Sequence, residues 1–298
     1  MTNVEVTTQI IHTRHTVNCT NDKYTGKNIT IAFLDTGICN IYDFHNRIIY
    51  FKDFVNQKKS PYDDNGHGCH VAGISSGNGK YKGIAPDSNI IMLKTLNGEG
   101  KGNAANVLSG IKWIENNHKK FNIKIVNMSI GTGAEIPNDP LVMAVEALWK
   151  KGIVVVTAAG NNGPNPGTIS SPGTSKIVIT VGASDDESDQ LKNFSGRGPT
   201  RENIMKPDLV APGNNIFSCQ CNGDYKSLSG TSMSTPIVSG AVALLLEKAP
   251  DLSPDDIKYM LKLSSTELEL PQNRQGWGLL NIKKLLEMEL VYVRQINS

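Results

Sequence analysis

Five short apolar runs rich in β-branched residues punctuate the chain: Asn28–Leu34 (NITIAFL), Asn89–Lys94 (NIIMLK), Ile123–Met128 (IKIVNM), Ile153–Thr157 (IVVVT) and Lys176–Val181 (KIVITV). They are apolar on both faces, the pattern of parallel strands covered by helices. Between them apolar residues recur at helical spacing, at Val107, Leu108, Ile111 and Ile114 and again at Leu141, Val142, Val145 and Leu148. Two later helices are predicted, one from about Ser232 to Lys248 and one opening at Ser253-Pro254-Asp255-Asp256, where an N-cap Ser, a Pro at the first helical position and first-turn acids suit a helix start. Alternating strand and helix predicts an α/β fold, a three-layer, mostly parallel central sheet with helices on both faces. No linker or composition shift divides it, so one domain is expected.

Composition narrows the function classes. Thirty Lys plus Arg against 28 Asp plus Glu leave a net charge of +2, so no single-signed field points to nucleic acid or an anionic membrane as partner. The longest nearly apolar stretch, Ile237–Leu246, contains Ser239 and Gly240 and falls far short of the roughly 20 residues that span a bilayer. The N-terminus lacks a basic region followed by an apolar one, so it does not read as a secretory signal, and a cytoplasmic chain is expected, with a trimmed secreted fragment as the alternative. Five cysteines (Cys19, Cys39, Cys69, Cys219, Cys221) are an odd number without a CxxC pair and are read as reduced thiols. Glycine, 28 of 298 residues or about 9% against a usual ~7%, is the one excess.

Those glycines concentrate around chemistry. Leu34-Asp35-Thr36-Gly37 and Ala159-Gly160-Asn161-Asn162-Gly163 follow strands, while Asn65-Gly66-His67-Gly68-Cys69-His70 and Ser229-Gly230-Thr231-Ser232-Met233-Ser234-Thr235-Pro236 open helical stretches. Ligands of open α/β sheets bind beyond the carboxyl ends of the strands, where Asp35 and Asn161 fall. Hydrolytic acyl transfer needs a nucleophile, a base, a carboxylate to orient the base and donors for an oxyanion; the four segments supply one of each. Singly, each has a plainer reading: Asp35 as a turn residue, His67 at a helix entry, Asn161 as a left-handed turn residue, Ser232 as a cap. Only their conjunction is specific. Three decoys compete weakly. Gly73-Ile74-Ser75-Ser76-Gly77 matches the esterase elbow but ends a helical piece, Gly98-x-Gly100-x-Gly102 is half of a dinucleotide fingerprint, and His67-x-Cys69-His70 with Asp63-Asp64 lacks zincin ligand spacing. The acidic run Asp185-Asp186-Glu187-x-Asp189 reads as a solvated loop and the remaining histidines as surface residues.

In chain order the four segments, with His70-Val71-Ala72-Gly73, Thr235-Pro236 and Gly276-Trp277-Gly278-Leu279-Leu280-Asn281, resemble the subtilisin family of serine peptidases. Tyr62-Asp63-Asp64-Asn65-Gly66-His67 and Phe194-Ser195-x-Arg197-Gly198-Pro199 are most similar to its intracellular, AprX-like branch. The resemblance divides the chain into a short N-terminal segment (1–26), a peptidase domain (27–287) and a tail (288–298). It implies a serine endopeptidase working through an acyl-enzyme, with Ser232 as nucleophile, His67 as base, Asp35 as its orienting carboxylate, and Asn161 with the Ser232 N–H as oxyanion donors. It further implies polypeptide substrates, held extended between Gly98, Gly100 and Gly102 on one side and Ser129, Ile130 and Gly131 on the other. The first-site pocket would be walled by Ser129–Gly131, Ala158, Ala159 and Gly160, with Asn162 and Ser170 beside it. Small uncharged walls favour an apolar first-site residue, and Ala104 leaves the fourth-site pocket open.

Departures from the family pattern qualify the picture. Cys69 replaces the usual Thr two residues past the histidine, either as a small buried filler or as a reactive thiol. Met233 beside the nucleophile is open to sulfoxidation. The loop Ile74–Lys82 is shorter than the one that builds the tight calcium site of secreted relatives although Asp43 remains; no metal ligands are assigned and no cofactor is needed for the chemistry, with structural calcium left unplaced. The 34 residues before Asp35 are too few for the usual folding pro-domain, so either a matured fragment or a chain that folds with a very short leader is expected. A catalytically silent, regulatory copy of the fold is the alternative function, and oligomeric state and any role of the tail stay open.

Overall fold

A computed structural model of the chain describes residues 13–20, 23–133, 137–184 and 194–289. The acidic run at 185–189 and residues 290–298 of the tail therefore lie outside the described residues. Seven strands form one parallel sheet in the order β2-β3-β1-β4-β5-β6-β7: β1 (Thr30–Asp35), β2 (Ile48–Asp53), β3 (Asn89–Lys94), β4 (Ile123–Met128), β5 (Val154–Ala158), β6 (Ile179–Ala183) and β7 (Leu209–Ala211). Strands β1, β5 and β6 are buried at every position, which is why they read as unbroken apolar runs. An antiparallel hairpin, β8 (Ile216–Cys219) and β9 (Tyr225–Leu228), stands apart from the sheet.

Four main helices complete the layers. On one side α1 (His67–Ser76) packs against α4 (Thr231–Lys248), and α4 runs along β4, β5 and β6; α2 (Ala104–Asn117) and α3 (Pro140–Lys150) pack on each other and reach β1 and β5. The difference between these pairs follows from sequence. Helices α2 and α3 carry an apolar stripe, whereas α4 is buried continuously from Met233 to Leu246 and is apolar around its whole circumference. A capping box between Ser253 and Asp256, with Pro254 in the first turn, starts α5 (Pro254–Ser264) as predicted; α6 (Gln272–Gln275) and α7 (Ile282–Glu287) follow. Among the described residues no helix is long and apolar enough to cross a membrane.

Three expectations shift. The strand expected at Lys176–Val181 runs instead over Ile179–Ala183, because the Lys258 ammonium takes the carbonyls of Lys176, Ile177 and Val178 at 3.0, 2.9 and 3.0 Å. Val17 and Cys19 of the N-terminal segment are buried in the same core as the sheet. The five thiols are not all reduced: Cys39 and Cys221, 182 residues apart, are joined by a disulfide, while Cys19, Cys69 and Cys219 are buried and in no disulfide. Spacing along the chain carried no sign of that pairing, since only the hairpin brings Cys221 over the loop that follows β1.

Candidate active site

The parallel strands all end on one side, and a cleft of about 660 Å³ opens there. Asp35 is the last residue of β1 and fully buried; its Oδ1 accepts the Thr36 N–H at 2.7 Å and the His67 Nδ1–H at 2.7 Å. His67 begins α1 and lines the cleft, so its Nε2 is left to act. The two segments meet this closely because neither has a side chain in the way. A Cβ on Gly68 would collide with the Gly37 carbonyl oxygen, and one on Gly37, whose φ of +135° already disfavours other residues, with the Tyr62 carbonyl. Burial disfavours the imidazolium, but the Asp35 carboxylate outweighs it and holds the His67 pKa above its ordinary 6.5.

Asp63 clasps the same junction. Its Oδ1 accepts the Thr36 hydroxyl at 2.8 Å and the N–H groups of Asn65 and Gly66 at 3.0 and 2.8 Å, and its Oδ2 accepts the Cys69 N–H at 2.9 Å. A carboxylate over the first turn of α1 is favoured by the helix dipole and caps otherwise orphaned donors. Below it, buried Lys94 donates to the carbonyls of Thr36 and Leu96 and to Asp64 at 2.6, 2.8 and 2.6 Å. Neither Asp63 nor Lys94 was singled out as a site residue, although an acid four residues before a helix-opening histidine is a legible capping signal.

Ser232 lies in the first turn of α4, half-buried on the opposite wall. Pro236, inside that helix, has no N–H to give the Ser232 carbonyl. The Ser129 hydroxyl donates to that carbonyl instead at 2.8 Å, and the Ser232 hydroxyl returns a bond to the Ser129 carbonyl at 3.0 Å. The Ser232 hydroxyl thus rests on the segment after β4 rather than on His67; in free enzymes hydrogen bonds between catalytic groups are often unmade in this way. Asn161, three residues past β5, is fixed by its carboxamide oxygen, which accepts the Thr231 N–H and hydroxyl at 3.0 Å each, and its Nδ2–H₂ is the end left to donate.

Most of the expected binding residues line this cleft: Gly100, Gly102, Ser129, Ile130, Gly131, Ala158, Gly160, Asn162 and Ser170. Two do not. Gly98 sits in a turn that Asn97 closes on the Lys101 carbonyl, and its own carbonyl accepts from Asn65; Ala159 is fully buried behind the wall, bonded to Val181 and Ser170. Thr36 and Asn65, from two of the glycine-flanked motifs, also line the cleft, as do Leu96, Val107 and Leu141, which no motif marks. The esterase-elbow decoy dissolves, with Ser75 and Ser76 buried inside α1. His70 turns away from His67 to bond the Lys226 carbonyl at 3.0 Å, and burial pushes its pKa down to about 3. Burial, reinforced by the nearby Asp63 charge, pushes the Cys69 thiol up, which suits a packed filler and not a nucleophile. Asp43 is engaged by protein, accepting the Tyr225 hydroxyl at 2.8 Å.

Comparison with known proteins agrees with this arrangement. The subtilase family profile matches residues 26–278. Serine protease AprX of Bacillus subtilis is 44% identical over 87% of the chain, which spans 66% of that protein's length; Subtilisin DY of Bacillus licheniformis is 35% identical over 87% of the chain and 91% of its own. Among solved structures, a cold adapted subtilisin-like serine proteinase superposes with a TM-score of 0.75 at 32% identity over 88% of this chain and 91% of that one. The Clostridium perfringens CspB protease shares the fold, with a TM-score of 0.83 at 21% identity over 93% and 98% of the two chains.

The raised pKa of His67 has a direction that can be checked. A base must be neutral to accept a proton, so kcat/KM on a peptide ester is expected to fall as pH drops, with the midpoint of the acid limb above 6.5. An acid limb centred well below that value would contradict the Asp35–His67 coupling. By sequence, profile and fold together, the chain belongs to the subtilase family of serine endopeptidases.

Proposed function

We propose that this chain cleaves polypeptides through an acyl-enzyme formed on Ser232. The observation that carries this reading is the 2.7 Å bond from His67 to buried Asp35 on the wall of a cleft that also holds Ser232 and Asn161. Asp35 fixes the imidazole with its proton on Nδ1 and stabilises the imidazolium; His67 Nε2 takes the Ser232 proton and passes it to the leaving amine. The tetrahedral oxyanion is met by the Asn161 Nδ2–H₂ and the Ser232 N–H at the positive end of α4. Every group in this scheme is a side chain or backbone donor of the chain itself, so the reaction as assigned needs no cofactor.

Substrate would lie extended against the Ser129–Gly131 backbone on one side and the Gly100–Asn103 rim on the other, adding a strand to each. The first-site pocket behind Ser129, Gly131, Ala158, Gly160 and Ser170 has small neutral walls, and an apolar first-site side chain fits it best.

Labelling by a fluorophosphonate is expected in the wild type and lost in Ser232→Ala; a probe-silent wild type would support a regulatory, non-catalytic copy of the fold instead. Asn161→Leu should retain folding and lose about 3 kcal/mol of transition-state stabilisation, a drop of roughly 10²–10³ in kcat, and an unchanged kcat would remove Asn161 from the oxyanion site. Mapping cleavage sites in a denatured protein should return mainly apolar first-site residues. A majority of Lys or Arg would overturn the pocket assignment.

A further inference from the structure

Beside the catalytic junction, three sulfurs converge from three separate parts of the chain. Cys39 lies four residues beyond Asp35, Cys69 in the first turn of α1, and Cys221 in the turn of the β8–β9 hairpin. Their Sγ atoms all fall within 4.8 Å of one another. Cys69 Sγ is 3.0 Å from Cys221 Sγ and accepts the Cys39 N–H at 3.0 Å. A disulfide between Cys39 and Cys221 uses two of these atoms and leaves the third in contact with it. No other group of His, Cys, Asp or Glu side chains among the described residues gathers three ligand atoms in this way.

We propose that, with the Cys39–Cys221 disulfide reduced, Cys39, Cys69 and Cys221 bind one Cu⁺ ion as a trigonal tris-thiolate site. The donor set chooses the ion. Sulfur-only coordination selects soft cations, and a structural Zn²⁺ would call for a fourth ligand, which no side chain of the group supplies. The nearest carboxylate, Asp63, is already committed to one hydroxyl and three backbone N–H groups. Metal–sulfur bonds of about 2.3 Å place the three corners of a trigonal site roughly 4 Å apart, so Cys69 and Cys221, now 3.0 Å apart, and the Cys39–Cys221 pair after reduction spread by about 1–2 Å around the ion, the scale of a side-chain rotation. Cys39 and Cys221 are partly exposed, which gives the ion a path in, while Cys69 is buried and closes the inner side.

The chemistry balances without a change in copper oxidation state. An external phosphine or dithiol supplies the two electrons that break the S–S bond, and two protons complete the thiols. Uptake of Cu⁺ then replaces three S–H bonds with three S–Cu bonds and releases three protons to solvent. The site would tie the end of β1, the start of α1 and the hairpin through one ion, and it stands on the sulfur positions independently of the catalytic roles assigned above.

The test is an anaerobic titration of the phosphine-reduced full chain with Cu⁺ in competition with a chromogenic Cu⁺ chelator, followed by copper X-ray absorption on the loaded wild type. A single tight equivalent with three sulfurs around copper is expected, lost in each of Cys39→Ser, Cys69→Ser and Cys221→Ser and kept in Cys19→Ser. Failure of the wild type to withdraw copper from the chelator, a shell of two sulfurs, retention of the tight equivalent in any of the three variants, or preferential retention of Zn²⁺ would overturn it. The absorption measurement needs only the wild type and so decides the question even if a variant does not fold.

Discussion

The hydrogen bond from His67 to Asp35 is the constraint around which the cleft is arranged. It requires a fully buried carboxylate, which is costly unless its charge is met. Here the imidazole and the Thr36 N–H both meet Oδ1, while the buried Oδ2 has no hydrogen-bond partner. Both depend on backbone approach: the end of β1 and the start of α1 come together only because Gly37 and Gly68 leave the space open. Strand β1 is paired with β3 up to Asp35, opposite Lys94, and with β4 as far as Phe33, so Asp35 is placed at the end of a central strand. Asp63 and Lys94 then lock the two loops that leave it, one from above through N–H groups and the other from below through carbonyls. Their carboxylate and ammonium do not enter the reaction; they set the geometry in which it occurs.

Ser232, the proposed nucleophile, is positioned by a different device. Helix α4 is buried on every side, and its single interior proline opens the backbone bond ladder at the residue that matters. The freed Ser232 carbonyl and the Ser232 hydroxyl are both taken by Ser129, so Ser232 and the segment after β4 are joined by two reciprocal bonds. A hydroxyl turned toward His67 would give up its bond to the Ser129 carbonyl. Asn161 is handled in the same manner, with its acceptor end fixed on Thr231 and its donor end left for the substrate.

Much of this was written plainly in the sequence. Strands β3 and β4 appear at the residues their apolar runs predict, because burial on both faces keeps most of their positions apolar. The glycine-flanked Asp35, His67, Asn161 and Ser232 stood out because chemistry and backbone demands coincide there. What stayed hidden was decided by tertiary contact. Strand β2 is an edge strand whose Ile48-Ile49-Tyr50-Phe51 run stays partly exposed and was not among the predicted strands; Lys258 capped carbonyls that otherwise read as strand; and the Cys39–Cys221 bond depends on a hairpin whose polar β9 has no buried position. Gly98 and Ala159 were drawn into the cleft by motif neighbourhood, whereas the fold turns one into a rim turn and buries the other.

The central claim is that Asp35 holds His67 as the Nδ1–H tautomer with Nε2 free to act as base. Proton NMR of the ¹⁵N-histidine-labelled enzyme addresses it most directly. A solvent-protected, strongly downfield Nδ1–H resonance, absent in His67→Ala and shifted upfield in Asp35→Asn, is the predicted result. A His67 ring whose proton resides on Nε2 in the wild type, or an Nδ1–H signal indifferent to Asp35→Asn, would contradict the account.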